Sequence, residues 1–321
     1  MQVRRSEYDV TNSIKTTEPE AVAAEVRRIY LDLYRKAGAD CLDRSFRDFA
    51  ALYRGEHPEY YGCDTGYHDL QHVLDVTLAI TRLLDGYQQV GREPLDERLF
   101  RFSVILALYH DCGYIRHRKD TRHHNGAEYT LTHVSRGARY LRDYLPQLEM
   151  ADLAPIAARV VHFTGYEVPV EKIRLPQPIF RVIGNLLGSA DILAQMADRC
   201  YLEKCYDRLF PEFVLGGIAR RKNAQGQEEV VFVSGADLIS KTPNFYKSAA
   251  HRLDAVFNCA YRYAEQHFGG HNYYVEAIEQ NIGYARRIGA QGDMSQLRRH
   301  APQLLAAEQP LAAEQGQLQL I

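Results

Sequence analysis

Histidine is concentrated where it could hold a metal. Eight of the 13 histidines fall between His68 and His162, and several stand beside carboxylates. In Tyr67-His-Asp-Leu-Gln-His72 two imidazoles lie four residues apart, a spacing that puts them on one helix face. Val76, Ile80 and Leu83 continue the face of His72, so that side chain should point inward, where an imidazole needs a hydrogen bond, a carboxylate or a metal. His110-Asp111 follows the apolar run Phe102–Tyr109, whose one polar residue is Ser103. An aspartate buried there without a cation or donors would be strongly destabilising. Neighbouring residues on a helix diverge by about 100°, so the pair could approach one metal from two directions, and the second oxygen of Asp111 could bridge to another. Asp191 shares a face with Ile183, Leu187 and Ala194 and needs the same compensation, from a metal, an arginine or a helix to cap.

Helices must carry these residues. The pattern predicts helices over 21–35, opened by a capping box in Thr17-Glu-Pro-Glu20, and over 42–53. Further helices are expected at 68–84, 94–111, 126–144, 151–163, 178–197, 245–267 and 273–287. The exception is 213–235, where two apolar segments flank Lys-Asn-Ala-Gln-Gly-Gln and predict a β-hairpin. The expected fold is all-α, one helical domain over 18–290 with a small hairpin insertion. A flexible arm should precede it at 1–17, and a flexible tail should follow at 291–321, where LAAEQP is followed by LAAEQG.

Composition narrows the function classes. The 321 residues are 46% apolar and 25% charged, ordinary for a chain with a real core, and 39 basic against 41 acidic residues leave a net charge of −2. That balance carries no general footprint for nucleic acid or an anionic membrane. The opening MQVRRSEYDVTNSIK has no apolar core of the kind an export signal carries, and no window is apolar enough to span a bilayer, so a cytoplasmic protein is expected. The six cysteines form no CxxC pair and are read as reduced thiols.

The order His72, His110-Asp111, Asp191 resembles the HD superfamily of metal-dependent phosphohydrolases, whose members are helical bundles. YHDLQHVLDV (67–76) is similar to the opening motif of cyclic-nucleotide phosphodiesterases. The resemblance implies a proton donor at His68 and a metal ligand at His72, and it makes the Ser-Ala-Asp191 helix the last ligand element. His133-Val-Ser-Arg-Gly-Ala138 and Val160-Val-His162 resemble ligand elements of the binuclear HD-GYP phosphodiesterases, and the likeness spans about 67–206. Departures are visible. Tyr114 stands where that branch carries Lys and where the phosphodiesterase HDxxH carries its second His. His162 is followed by Phe163 instead of a second His, and the GYP element is absent, so a cyclic-dinucleotide substrate is not supported.

What the resemblance implies is a two-metal hydrolase acting on a small, nucleotide-like phosphate ester, with cyclic nucleotides among the substrates to test. His72, His110 and Asp191 would hold the first divalent ion, Asp111 would bridge, and His133 and His162 would hold the second. The donor types do not choose among Mn, Fe, Co, Zn and Mg. A shared, acidified water would attack phosphorus, and His68 would protonate the leaving oxygen. The basic stretch Arg116–His124 suits phosphate docking, with Lys119 and Arg122 as the candidates. Asn281 is a weaker candidate for reading a base edge. Two other functions share this ligand pattern: a di-iron oxygenase of the myo-inositol oxygenase type, and a non-catalytic nucleotide-sensing scaffold.

Overall fold

Two helices that are apolar on nearly every face form the centre. In α3 (Leu70–Val90) and α7 (Pro178–Ala197), residues such as Val73, Leu74, Ile80, Leu84, Ile183, Leu187 and Leu193 are fully buried, as expected of helices surrounded by others. The computed structural model describes residues 4–35, 38–90, 93–222 and 226–304. Around the central pair, α1 (Pro19–Tyr34) and α4 (Glu97–Leu108) pack on α3, and α2 (Asp40–Arg54) packs on α1 and α4. Next, α5 (His133–Tyr144) and α6 (Ala154–Val160) lie together, with α6 against α7. Short helices α8 (Tyr201–Lys204) and α9 (Phe210–Leu215) flank a π-helical turn at Cys205–Leu209. The last helices are α10 (Gly235–His251), α11 (Tyr263–His267) and α12 (Tyr273–Gln291), of which α11 packs on α3 and α12 on α7. Among the described residues the protein is all-α apart from one two-stranded antiparallel ribbon. No helix among the described residues is long and apolar enough to cross a membrane.

Several boundaries differ from the sequence expectation, each for a local reason. The capping box at 17–20 does not form: α1 starts at Pro19, and its N-cap Glu18 makes no side-chain cap and instead pairs with Lys15 at 2.7 Å. His68 lies ahead of α3 rather than on it, because Asp69 caps that helix by accepting from the His72 N–H at 2.9 Å. The 94–111 helix ends at Leu108, which leaves His110 and Asp111 in a turn before a 3₁₀ turn at Cys112–Tyr114. The 126–144 stretch divides into a 3₁₀ turn at Gly126–Tyr129 and α5, and 245–267 divides at a π-turn, Arg252–Val256. The hairpin is shorter than expected, with β1 at Arg220–Lys222 and β2 at Glu228–Val230, because 213–215 complete α9.

The flexible arm at 1–17 is not what residues 4–17 form. Asp9 is buried, accepts from the backbone of Ser13 and Ile14 at 2.9 Å each, and pairs with buried Arg82 of α3 at 2.6 Å. Arg82 in turn donates to the Tyr274 hydroxyl of α12 at 3.0 Å. A buried guanidinium needs such a carboxylate, and the segment supplies it. Past α12, Arg299 donates to Asn281 Oδ1 at 2.7 Å, so the start of the expected flexible tail also packs on the bundle. The repeated LAAEQ segment lies outside the described residues. All six cysteines are free.

Candidate metal centre

Three separate segments bring imidazoles and carboxylates to one point. His72 comes from the first turn of α3, His110 and Asp111 from the turn after α4, and Asp191 from the middle of α7. His72 Nε2 and His110 Nε2 each lie 3.2 Å from Asp111 Oδ2. The same two nitrogens lie 3.6 and 3.9 Å from Asp191 Oδ1. Ligand atoms about 2.1 Å from a shared cation stand roughly 3–3.5 Å apart, so the first three already have ligand spacing. These three form a group able to hold a metal ion, and Asp191 borders it.

The donors are arranged as ligands rather than as hydrogen-bonding partners. His110 Nδ1–H donates to the Ala107 carbonyl at 2.7 Å, and His133 Nδ1–H donates to the Thr130 carbonyl at 2.7 Å. With Nδ1 carrying the proton, the neutral ring keeps its Nε2 lone pair for a cation. His110 Nε2 and Asp111 Oδ2 are buried, close together, and without a hydrogen bond of acceptable geometry. A lone pair beside a carboxylate oxygen is repulsive unless a cation sits between them. Burial alone would depress His110, but Asp111 and then Asp191 outweigh it and hold the ring up at about 9. Against its own burial, Asp111 is kept far below the usual carboxylate range by His110 and His72. The residues therefore fit a divalent ion.

The other oxygen of Asp111 faces a different ligand. His133 Nε2 lies 3.6 Å from Asp111 Oδ1, the geometry of a carboxylate shared between two positions. Burial keeps His133 below its usual value, favouring the neutral ligand form. Its placement depends on close packing at Gly113: a Cβ there would lie 1.8 Å from the His133 carbonyl oxygen. Arg136 locks the same junction by donating to the Gly113 carbonyl at 2.7 Å and the Ile115 carbonyl at 3.0 Å. The α5 N-terminus lacks a side-chain cap from Thr132; Glu167 accepts from Val134 N–H at 2.9 Å and Ser135 N–H at 3.1 Å instead. His162, expected as a sixth ligand, is not joined to the cluster. It forms no ion pair with either aspartate among the described residues, although its Nδ1 is buried and unpartnered. It sits in a 3₁₀ turn, Val161–Phe163, after α6 has ended.

His68 has a partner that the sequence pattern did not single out. Its Nδ1–H donates to Glu212 Oε2 at 2.6 Å, and Glu212, itself buried, also accepts from the Tyr67 and His68 backbone N–H groups. Burial opposes the charge on His68, but Glu212 outweighs it and raises the ring to about 9. Tyr114, which the sequence marks only as a departure from the motif it resembles, is in stacking contact with two imidazoles. Its ring centroid is 4.5 Å from that of His68 and 4.2 Å from that of His133. Both rings are thereby fixed in orientation. An acid on α9, 144 residues from its partner, leaves no spacing signal; a buried Glu in a short helix was the available hint.

A cavity of about 960 Å³ opens beside the cluster, and His68, Asp111, Tyr114, His133 and Asp191 line it. Lys119 and Arg122 do not: both are exposed, on a loop folded around Asp120, which accepts from the Arg122 and His123 N–H groups at 2.9 and 3.3 Å. The cationic side chains on the cavity are Lys241 and Arg252. Asn281 is also structural. It is buried and donates to the Met196 and Asp198 carbonyls at 2.9 and 2.7 Å, closing the C-terminus of α7. Comparison of the chain with family models, with curated proteins and with solved structures finds no match.

Proposed function

We propose that the protein is a metal-dependent phosphohydrolase of the HD type, a phosphodiesterase or nucleotidase in class, acting on a small phosphate ester. The observation that carries this reading is the convergence of His72, His110, Asp111 and Asp191, with His110 Nε2 and Asp111 Oδ2 buried and unpartnered. His72, His110, Asp111 and Asp191 would hold the first ion, and Asp111 with His133 would hold a second. Bound divalent ions would supply Lewis-acid polarisation of the phosphoryl group and acidify a water for attack.

The chain's own residues supply the rest. Glu212 keeps the His68 Nδ1 proton in place and stabilises the charged ring, so His68 is protonated at neutral pH and can release its Nε2 proton to a leaving oxygen. Tyr114 holds that ring against rotation by stacking. The carbonyls of Ala107 and Thr130 fix the tautomers of His110 and His133. A proton donor facing the cavity beside the carboxylates supplies what an ester hydrolysis needs at its leaving oxygen, which favours the hydrolase reading.

The experiment is phosphate release from monoesters, cyclic nucleotides and dinucleotides, each with Mn, Fe, Co, Mg or Zn, under argon and under air. Metal-dependent release under argon that disappears in His110→Ala is expected. Oxygen uptake with a mixed-valent iron signal, or tight nucleotide binding with no release under any metal, overturns the reading.

A further inference from the structure

The cavity is built for more than a phosphate group. Its volume of about 960 Å³ is near the top of the roughly 300–1,000 Å³ that small-molecule sites span. Away from the metal-ligating end its walls are mainly apolar, with Ile192 of α7, Leu209 of the π-turn, Phe213 of α9, Phe232 after the hairpin and Leu238 of α10, interrupted by Gln195, Thr242 and Ser248. At its rim, Leu131, Tyr166, Val230 and Phe245 are each exposed by 39% or more, while most large apolar side chains are covered. Apolar surface left open around a cavity mouth marks a place where an apolar ligand enters.

Charge points the same way. Apart from His68 and the aspartates assigned to the metal, the charged lining is Glu167, which caps α5, and Glu229, with Lys241 and Arg252. Both cations are already engaged. Lys241 Nζ donates to the Val231 carbonyl at 2.7 Å and to Asp237 Oδ2 at 2.9 Å. Arg252 Nη2 donates to the Phe163 and Gly165 carbonyls at 2.9 and 2.7 Å. A chain of phosphates extending into the cavity would meet apolar walls and cations committed elsewhere.

We infer that the substrate is a singly phosphorylated ester of a bulky apolar alcohol, with the phosphate at the aspartate–histidine cluster and the alkyl or aryl group in the cavity. This rests on the hydrolase reading for the phosphate end alone and replaces its phosphodiester or nucleotide substrate with an apolar phosphomonoester. Each methylene that enters the cavity should tighten binding about fourfold, the increment for burying one such group.

Alkylphosphonates test this without turnover, because their C–P bond resists hydrolysis. Ethyl-, butyl-, hexyl- and octylphosphonate would be titrated calorimetrically into the Mn-loaded protein, with ATP as the polyphosphate comparison. A fall in Kd of roughly 200-fold from butyl to octyl is expected, with ATP weaker than octylphosphonate. Ile218→Trp, which narrows the cavity at the base of the hairpin, should weaken octylphosphonate at least tenfold and leave ethylphosphonate unchanged. Phe232→Ala, which widens it, should lower the octyl affinity while Tm and bound metal confirm that both variants are folded. A Kd independent of chain length, or ATP binding more tightly than octylphosphonate, overturns the inference. Phosphate release from short esters together with a flat chain-length series refutes this inference and leaves the hydrolase reading standing. A steep series with no phosphate release from any ester does the reverse.

Discussion

Replacing Gly113 by Ala adds a single methyl group where there is no room for one. The new Cβ would lie 1.8 Å from the His133 carbonyl oxygen, 2.6 Å from its carbonyl carbon and 2.8 Å from Gly137 N. All three are backbone atoms of α5, so no side chain can swing aside. Contacts under 3.0 Å essentially do not occur, so α5 must withdraw by about 1.2 Å. Gly113 is not among the residues with left-handed backbone, which makes space, not conformation, the whole of the effect. The retreat carries His133 Nε2 away from Asp111 Oδ1, where it starts at 3.6 Å. Overpacking of this kind costs about 1–3 kcal/mol, which for a chain of this size lowers Tm by roughly 2–4 °C. A displacement near 1 Å in a reacting constellation is worth about 100-fold in rate. The assays are calorimetric Tm, bound metal per chain by elemental analysis, and phosphate release. The expected result is a lower Tm, loss of the ion held by His133 with retention of the one at His72, and at least 100-fold less activity. Wild-type Tm with undiminished metal would refute the argument that α5 and the His110-Asp111 turn are held at contact distance.

Four further outcomes follow from the same structure. Asp111→Ala removes the carboxylate common to both positions and should empty the site of metal as well as abolish activity, checked by elemental analysis and phosphate release. Glu212→Gln removes the charge that raises His68, so the imidazole should titrate well below about 9 by NMR; an unchanged titration would remove Glu212 from its positioning role. Asp75 is raised from 3.8 to about 7, first by burial and then by Asp198. Because its folded value exceeds its unfolded one, its stability contribution is complete below pH 4 and is lost as pH rises towards 7. Denaturant titrations should show that loss in the wild type and not in Asp75→Asn. Gly283→Ala, in the interior of α12 with only the far end of Arg287 within 4.0 Å, should raise stability by about 0.5–1 kcal/mol, read as a higher denaturant midpoint.

The parts of the fold legible in the sequence were those governed by local periodicity. The helix expected at 178–197 has those bounds because Pro178 opens it and an unbroken apolar surface follows. The sites legible in the sequence were those where a polar side chain interrupts such a surface, as at His72, His110, Asp111 and Asp191, since burial forces a partner on each. What was missed depends on distance along the chain. Glu212 reaches His68, and Glu167 caps α5, through tertiary packing that no spacing encodes. Lys119 and Arg122 show the opposite error: a dense basic run looked like a docking surface, but Asp120 folds it into an exposed turn of its own. His162 matched a motif by order and interval, and in the structure it lies in a 3₁₀ turn after α6 and forms no ion pair with the aspartates among the described residues.

The clasp of Asp9 on Arg82 and of Arg82 on Tyr274 ties the beginning and the end of the described fold to the same central helix. On the ribosome, Asp9 and Arg82 emerge early and Tyr274 late, so a guanidinium destined for the interior waits for its last neighbour until nearly the whole chain has been made. Completion of this clasp therefore depends on residues far apart in sequence, the kind of contact that forms late. Trimming the N-terminal segment would strand a cation at the heart of the helix that carries His72. A truncation past Asp9 should cost about 3–5 kcal/mol and the integrity of the site with it.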